Sequence, residues 1–186
     1  MSVRNIDGVE VPAAGVWEIE PSHSTASFTV RHLGISKVRG RFDVFSGTIQ
    51  VAEKPEDSTV EVEIDAASIN TGDQTRDDHL KSPDFLNVGE IPTLAFSSTG
   101  VLRSKDGWKV TGDLGIRGIE KGVELDVEFY GGGADPWGNQ RVGMSATTEF
   151  NREDFGLTWN QSLETGGILV GKQVKVEIEL EAVLKG

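Results

Sequence analysis

"VKVEIELEAV", residues 174–183, sets Val174, Val176, Ile178, Leu180 and Ala182 against Lys175, Glu177, Glu179 and Glu181 in strict alternation. Successive side chains of an extended chain point to opposite faces, so this segment has one apolar and one charged face. That is the signature of a half-buried antiparallel strand. "VELDVEFY" (123–130) and "TVEVEID" (59–65) repeat the pattern. Weaker strand candidates cover 15–20, 24–32, 40–51, 93–103, 107–115 and 140–150. Turn-forming clusters at 54–58, 104–107 and 131–139 separate them. No helical segments are interleaved, which argues against a parallel α/β sheet. The fold class is therefore all-β, and a total of about eight or nine strands suits a closed barrel or a sandwich.

One segment departs from the alternation. In "TGDQTRDDHLKSP" (71–83), Thr71 followed by Gln74 has capping-box spacing and Pro83 acts as a stop, predicting a short helix over 72–81. Leu80 is its only large apolar residue, so the helix belongs on the surface, over an opening. Residues 1–14 read as a loose leader and 15–186 as a single domain.

The chain has 186 residues, enough to bury a substantial core. Its 18 basic and 30 acidic residues give a net charge of −12. Such a charge repels nucleic acid and disfavours charge-driven binding to anionic membrane surfaces. There is no cysteine, which removes thiolate chemistry and disulfides. The first twenty residues lack the apolar core of an export signal, and no run is long enough to span a membrane. The expected location is cytoplasmic, with no integral membrane segment.

Motifs for chemistry are weak. "GGILVGKQ" (166–173) nearly matches a phosphate-binding loop, but Gln173 replaces the magnesium-binding hydroxyl and a strand follows where a helix is needed. "DQTRDD" (73–78) lacks the glycine and distant glutamate of a calcium loop. His23 and His32 would face opposite sides of one unbroken strand, about 30 Å apart, and could not share a metal. No nucleophile elbow is present. The expectation is no enzyme, no metal and no cofactor. Large residues (Phe28, Phe42, Phe96, Phe129 and Phe155) gather on the presumed inner faces. Alternation alone does not separate a filled barrel from a hollow one, and a filled core is the simpler expectation.

Several ordered motifs carry a more specific resemblance, spanning about 15–184. They are Trp17-x-Ile19 with His23-Ser24, then Phe28, Val30 and His32, then "GRFDVFSGTI" (40–49). "SINTGDQTRDDHLKSPDFLNV" (68–88), Pro92-Thr93 with "FSS" (96–98), "GDLGIRG" (112–118) and "NREDFG" (151–156) complete the series. The chain resembles the YceI-like family of polyisoprenoid-binding, lipocalin-like barrels. Gly115 stands where that family usually has threonine. The resemblance implies an extended antiparallel barrel of about eight strands with a helix near one end. It also implies a long apolar tunnel that binds, stores or carries a polyisoprenoid or similar lipid.

On alternation and resemblance together, Phe28, Val30, Phe42, Phe96, Leu114, Phe129 and Phe155 are candidate lining residues. His32, His79 and Arg152 are candidates for a polar end, with His32 offered to a ligand head group. The competing reading is a filled barrel serving as a stress-response or protein-interaction module. Ligand identity stays open, as does the choice between monomer and homodimer.

Overall fold

The computed structural model describes residues 1–186 and contains thirteen strands and one α-helix. The strands are β1 (Val3–Ile6), β2 (Val9–Pro12), β3 (Gly15–Ile19), β4 (Thr25–His32), β5 (Ser36–Phe42), β6 (Phe45–Val51), β7 (Thr59–Asp65) and β8 (Ile69–Asn70). After the helix α1 (Gln74–Lys81) come β9 (Thr93–Ser104), β10 (Gly107–Ile116), β11 (Ile119–Ala134), β12 (Gln140–Asn151) and β13 (Val170–Leu184). All pairings are antiparallel.

The sheet closes on itself. β13 pairs with β12 on one side and with both β3 and β4 on the other. β3 and β4 are thus two halves of one long strand, interrupted by a 3-10 turn at Pro21–His23. β5 and β6 are likewise halves of one strand, pairing with β4 and β3 and broken at Asp43–Val44. Counted this way, the wall is a closed eight-stranded antiparallel barrel with one short helix, in which the far side of β5 meets only the two-residue β8.

Residues 1–14, read above as a loose leader, form a hairpin instead. Ile6 pairs with Val9 across Asp7–Gly8, and both turn residues have positive φ (51° and 81°). That is the two-residue turn whose twist matches its strands, which the Asp-Gly pair favours. The hairpin packs on one end of the barrel. Val11 is 2% exposed, and Arg4 bridges to Glu53 at 2.6 Å.

The helix begins two residues later than its sequence suggests. Asp73 caps it by accepting from the amide of Arg76 at 2.8 Å. Thr71 cannot serve as the cap because the buried Asp77 carboxylate takes its hydroxyl proton at 2.5 Å. The same hydroxyl accepts from Arg76 Nε at 2.7 Å.

Buried residues gather in three clusters, one toward each end and a third of Phe96, Val101 and Val110 on β9 and β10. At one end Trp17, Ile49, Val51, Val142 and Ala182 pack together, and Trp17 Nε1 donates to Ala13 O at 2.9 Å. Toward the helix lie Ala66, Ile69, Phe85, Leu86, Leu94, Ile116, Phe155 and Leu157. Between them the inner faces of β4, β7, β11 and β13 are only half-buried, although they carry valine, leucine and isoleucine. Apolar residues facing inward yet half-exposed mean a space beside them, so the barrel is not the filled one that was the simpler expectation.

Candidate functional site

The space is a cavity of about 860 Å³. Hydrophobic residues make up 39 of the 52 that border it, which marks it as a site for an apolar guest. Its lining on β13 runs from Val170 to Leu180. A bulge between Val170 and Val174 takes up two of these residues, and the remaining eight, at the rise of an antiparallel strand reduced by barrel tilt, extend about 21 Å along the axis. The mean cross-section is then about 41 Å². These are the proportions of a chain rather than of a globular ligand.

Each wall strand contributes by period two. β4 sends in Ala26, Phe28, Val30 and His32; β11 sends in Val123, Leu125, Val127 and Phe129. The outward positions between them on β11 carry Glu124, Asp126 and Glu128. Phe28 lies across the backbone of its strand partner Gly40, where an added Cβ would come within 2.4 Å of the ring. Phe96 covers Gly112 in the same way, at 2.5 Å. Glycine at these points lets an aromatic ring lie flat against the wall instead of blocking the channel.

The two ends differ. The lining near the N-terminal hairpin is Val11, Pro12, Val51, Pro55 and Ser58, without a charged side chain. At the other end it includes His32, Asp73, Thr75, Arg76, His79 and Arg152. Asp73, Thr75 and Arg76 are exposed, so the cavity opens beside α1.

Of the sequence candidates, Phe28, Val30, His32, Phe42, His79, Phe96, Leu114, Phe129 and Arg152 all border the cavity. Phe155 does not. It is 1% exposed and packs edge-on against Phe150 at 5.0 Å, within the buried cluster toward the helix. It sits in the 3-10 turn Arg152–Phe155, where strand alternation no longer decides which way a side chain points.

The three polar-end candidates play different parts. Arg152 is buried and its donors are committed: Nε to Gly171 O at 2.8 Å, Nη1 to Leu157 O at 2.5 Å and to Trp159 O at 3.0 Å, Nη2 to Val170 O at 3.3 Å. Desolvation lowers its pKa below the usual arginine value, opposed by the charge of Glu153. It staples the segment 157–171 to the barrel. His79 is also engaged, donating from Nε2 to Asp84 at 2.8 Å. Its ring packs edge-on against Trp159 at 4.7 Å and Phe85 at 5.1 Å. His32 is the available one. Ser36 bonds only its backbone carbonyl, at 3.4 Å, and its ring has no protein hydrogen-bond partner.

Phe85 and Trp159 were missed by sequence reasoning. They lie in segments 82–92 and 157–169, outside any strand, where no periodicity announces a lining residue.

His23 lies outside the barrel wall in the 3-10 turn, exposed, far from His32 in environment. It forms a cluster with Glu20 and Glu181 whose ligand atoms lie within 4.8 Å. These groups already satisfy one another. His23 Nδ1 is 2.7 Å from Glu20, and Arg141 bonds Glu181 at 2.5 Å.

Comparison with known proteins agrees with this geometry. The YceI-like domain family matches residues 17–182. A UPF0312 protein of Staphylococcus aureus (strain MSSA476) is 40% identical over 163 residues, covering 86% of this chain and 92% of the relative. Among solved structures, BcnA of Burkholderia cenocepacia superimposes with a TM-score of 0.77 at 21% identity, over 88% of this chain and 98% of that one. A polyisoprenoid-binding domain from Saccharophagus degradans gives 0.65 at 15% identity, over 91% and 98%.

Proposed function

The chain belongs to the YceI-like family, and from that premise we propose that it binds a long apolar lipid of the polyisoprenoid kind inside its barrel. The observation that carries this reading is the elongated apolar cavity of about 860 Å³. The polyisoprenoid binding named for the Saccharophagus degradans neighbour supports the choice of ligand class.

The mechanism is burial without a chemical step. Each methylene taken from water contributes about 0.8 kcal/mol, so a long chain binds tightly with few polar contacts. The half-exposed lining of β4, β11 and β13 gains the burial that an empty barrel denies it. The tail lies toward the uncharged end and the head toward His32. Sequestration or carriage follows, because the outer wall stays charged and water-compatible whether or not the interior is occupied.

Native mass spectrometry of the purified protein, before and after solvent extraction, tests the reading. A bound mass that disappears on extraction and fragments as a prenyl lipid supports it. Apo protein that also refuses long-chain isoprenoids on titration overturns it.

A further inference from the structure

The charge is not evenly spread. Residues 25–42, comprising β4, β5 and their turn, contain Arg31, Lys37, Arg39 and Arg41 and no aspartate or glutamate. With histidine neutral this hairpin carries +4, so the rest of the chain carries −12 − 4 = −16. All four cations are exposed; Lys37, Arg39 and Arg41 stand clear of the cavity, Arg31 also touches its rim, and Val38 and Phe42 turn inward.

Arg31 stands directly opposite Lys37. Like charges in that position destabilise a sheet. Arg41 is relieved by Asp43 at 2.6 Å, whereas Arg31, Lys37 and Arg39 form no ion pair. The row ends there: Arg39 is opposite Thr29, which is opposite Lys175 on β13, and Lys175 is already paired with Glu177 at 3.0 Å. In a chain with 30 carboxylates, an unneutralised basic row attracts an external anion.

The tip of the same hairpin is apolar. Leu33 and Ile35 are 38% and 82% exposed. The Leu33 amide donates to Leu169 O at 2.9 Å, which brings the exposed Ile168 beside the turn. His32 and Leu169, next to these tips, line the cavity. A soluble polyanion would satisfy the cations and ignore the tips. The boundary between head groups and acyl chains accommodates both.

We infer that the β4–β5 hairpin docks the barrel on anionic lipid bilayers. Leu33, Ile35 and Ile168 enter the acyl boundary while Arg31, Lys37 and Arg39 rest on head-group phosphates. The cavity end bearing His32 then faces the bilayer, and an apolar chain can pass between membrane and barrel with little exposure to water. That purpose rests on the proposed lipid site; the contact itself does not. Net charge alone argued against such binding, but repulsion from the distant walls is screened beyond about 8 Å at physiological salt, leaving the local patch to decide.

Co-sedimentation with vesicles tests it. The full chain should bind vesicles of equal parts phosphatidylglycerol and phosphatidylcholine, ignore pure phosphatidylcholine, and release with added salt. Removing a cation should lower affinity about fivefold, and the reversals Lys37→Glu and Arg39→Glu by more. Ile35→Asp should weaken binding even at low salt. All these positions are exposed, so an unchanged thermal midpoint verifies folding. Equal binding to both vesicle types, or indifference to both the charge and the tip variants, overturns the inference. Capture by heparin as tight as by the mixed vesicles, and unaffected by Ile35→Asp, also overturns it in favour of a soluble polyanion. Native mass spectrometry on the same samples separates the two readings. A lipid-loaded barrel that ignores vesicles defeats only the docking, and a docking barrel that never takes a chain defeats only the cavity function.

Discussion

The two ends of this barrel are built from opposite materials. At the sealed end Trp17, Val142 and Ala182 are at most 2% exposed, and the N-terminal segment sets Val3 and Ala13 against them. At the mouth, α1 presents Asp73, Thr75 and Arg76 to solvent around the cavity rim, and the basic β4–β5 hairpin stands alongside. One end holds the barrel together by close packing. The other packs a larger buried cluster beside the helix and still leaves an opening next to it. A barrel with two sealed ends would gain stability and lose its use, whereas two polar ends would leave an apolar tail nowhere to stop.

Trp17→Ala should break the comparison most severely. Truncating a fully buried tryptophan costs about 3–5 kcal/mol, and denaturant unfolding should register it. Leu80→Ala at the mouth, where the side chain is only half-buried, should cost much less. Equal losses would mean that the ends are not energetically distinct.

Ile178→Trp sharpens it from the middle. Ile178 borders the cavity, so the larger ring takes up guest space rather than displacing packed neighbours. Losing room for about three methylenes corresponds to about 2.4 kcal/mol, or roughly fiftyfold in affinity for a long isoprenoid. The unfolding midpoint should scarcely move. A titration with a fluorescent isoprenoid beside a denaturation curve gives both readouts.

His32→Ala tests the mouth. With an unpartnered ring at the polar end, His32 should contribute one hydrogen bond of about 1 kcal/mol to a guest with a polar head. Affinity for such a guest should fall about fivefold and that for a plain hydrocarbon chain should not. Equal affinities for the two guests before and after substitution would assign His32 no part in recognition.

The walls were legible in the sequence and the ends were not, for a physical reason. β13, β11 and β7 alternate strictly because each faces cavity on one side and water on the other, so period two survives along their length. The N-terminal hairpin was written in Asp7–Gly8, but its short strands offer too few residues for alternation to stand out. The helix was placed correctly and its cap was not, because the Thr71 hydroxyl is taken by Asp77. At the mouth, side chains leave regular strands and their direction follows loop geometry. Phe155 accordingly packed into the buried cluster toward the helix, Trp159 turned into the cavity unannounced, and Arg152 became a staple instead of a ligand contact.

The smallest effect concerns Glu20, beside the sealed end at the turn between β3 and β4. The Ser22 hydroxyl donates to its carboxylate at 2.6 Å. Burial opposes ionisation, but the His23 ring at 2.7 Å and amide at 3.0 Å add to the hydroxyl, and the pKa is lowered from 4.5 to about 2. In the folded state the group therefore gives up its proton more readily than in the unfolded chain. Between these two values the unfolded state binds more protons, so stability rises with pH across that window. The contribution is complete above about 4.5 and gone near 2. Glu20→Gln should thus be less stable than the parent at neutral pH, and the gap should close as pH falls through that window. Urea midpoints at stepped pH measure it. A constant gap would mean that the carboxylate stabilises the turn by shape alone.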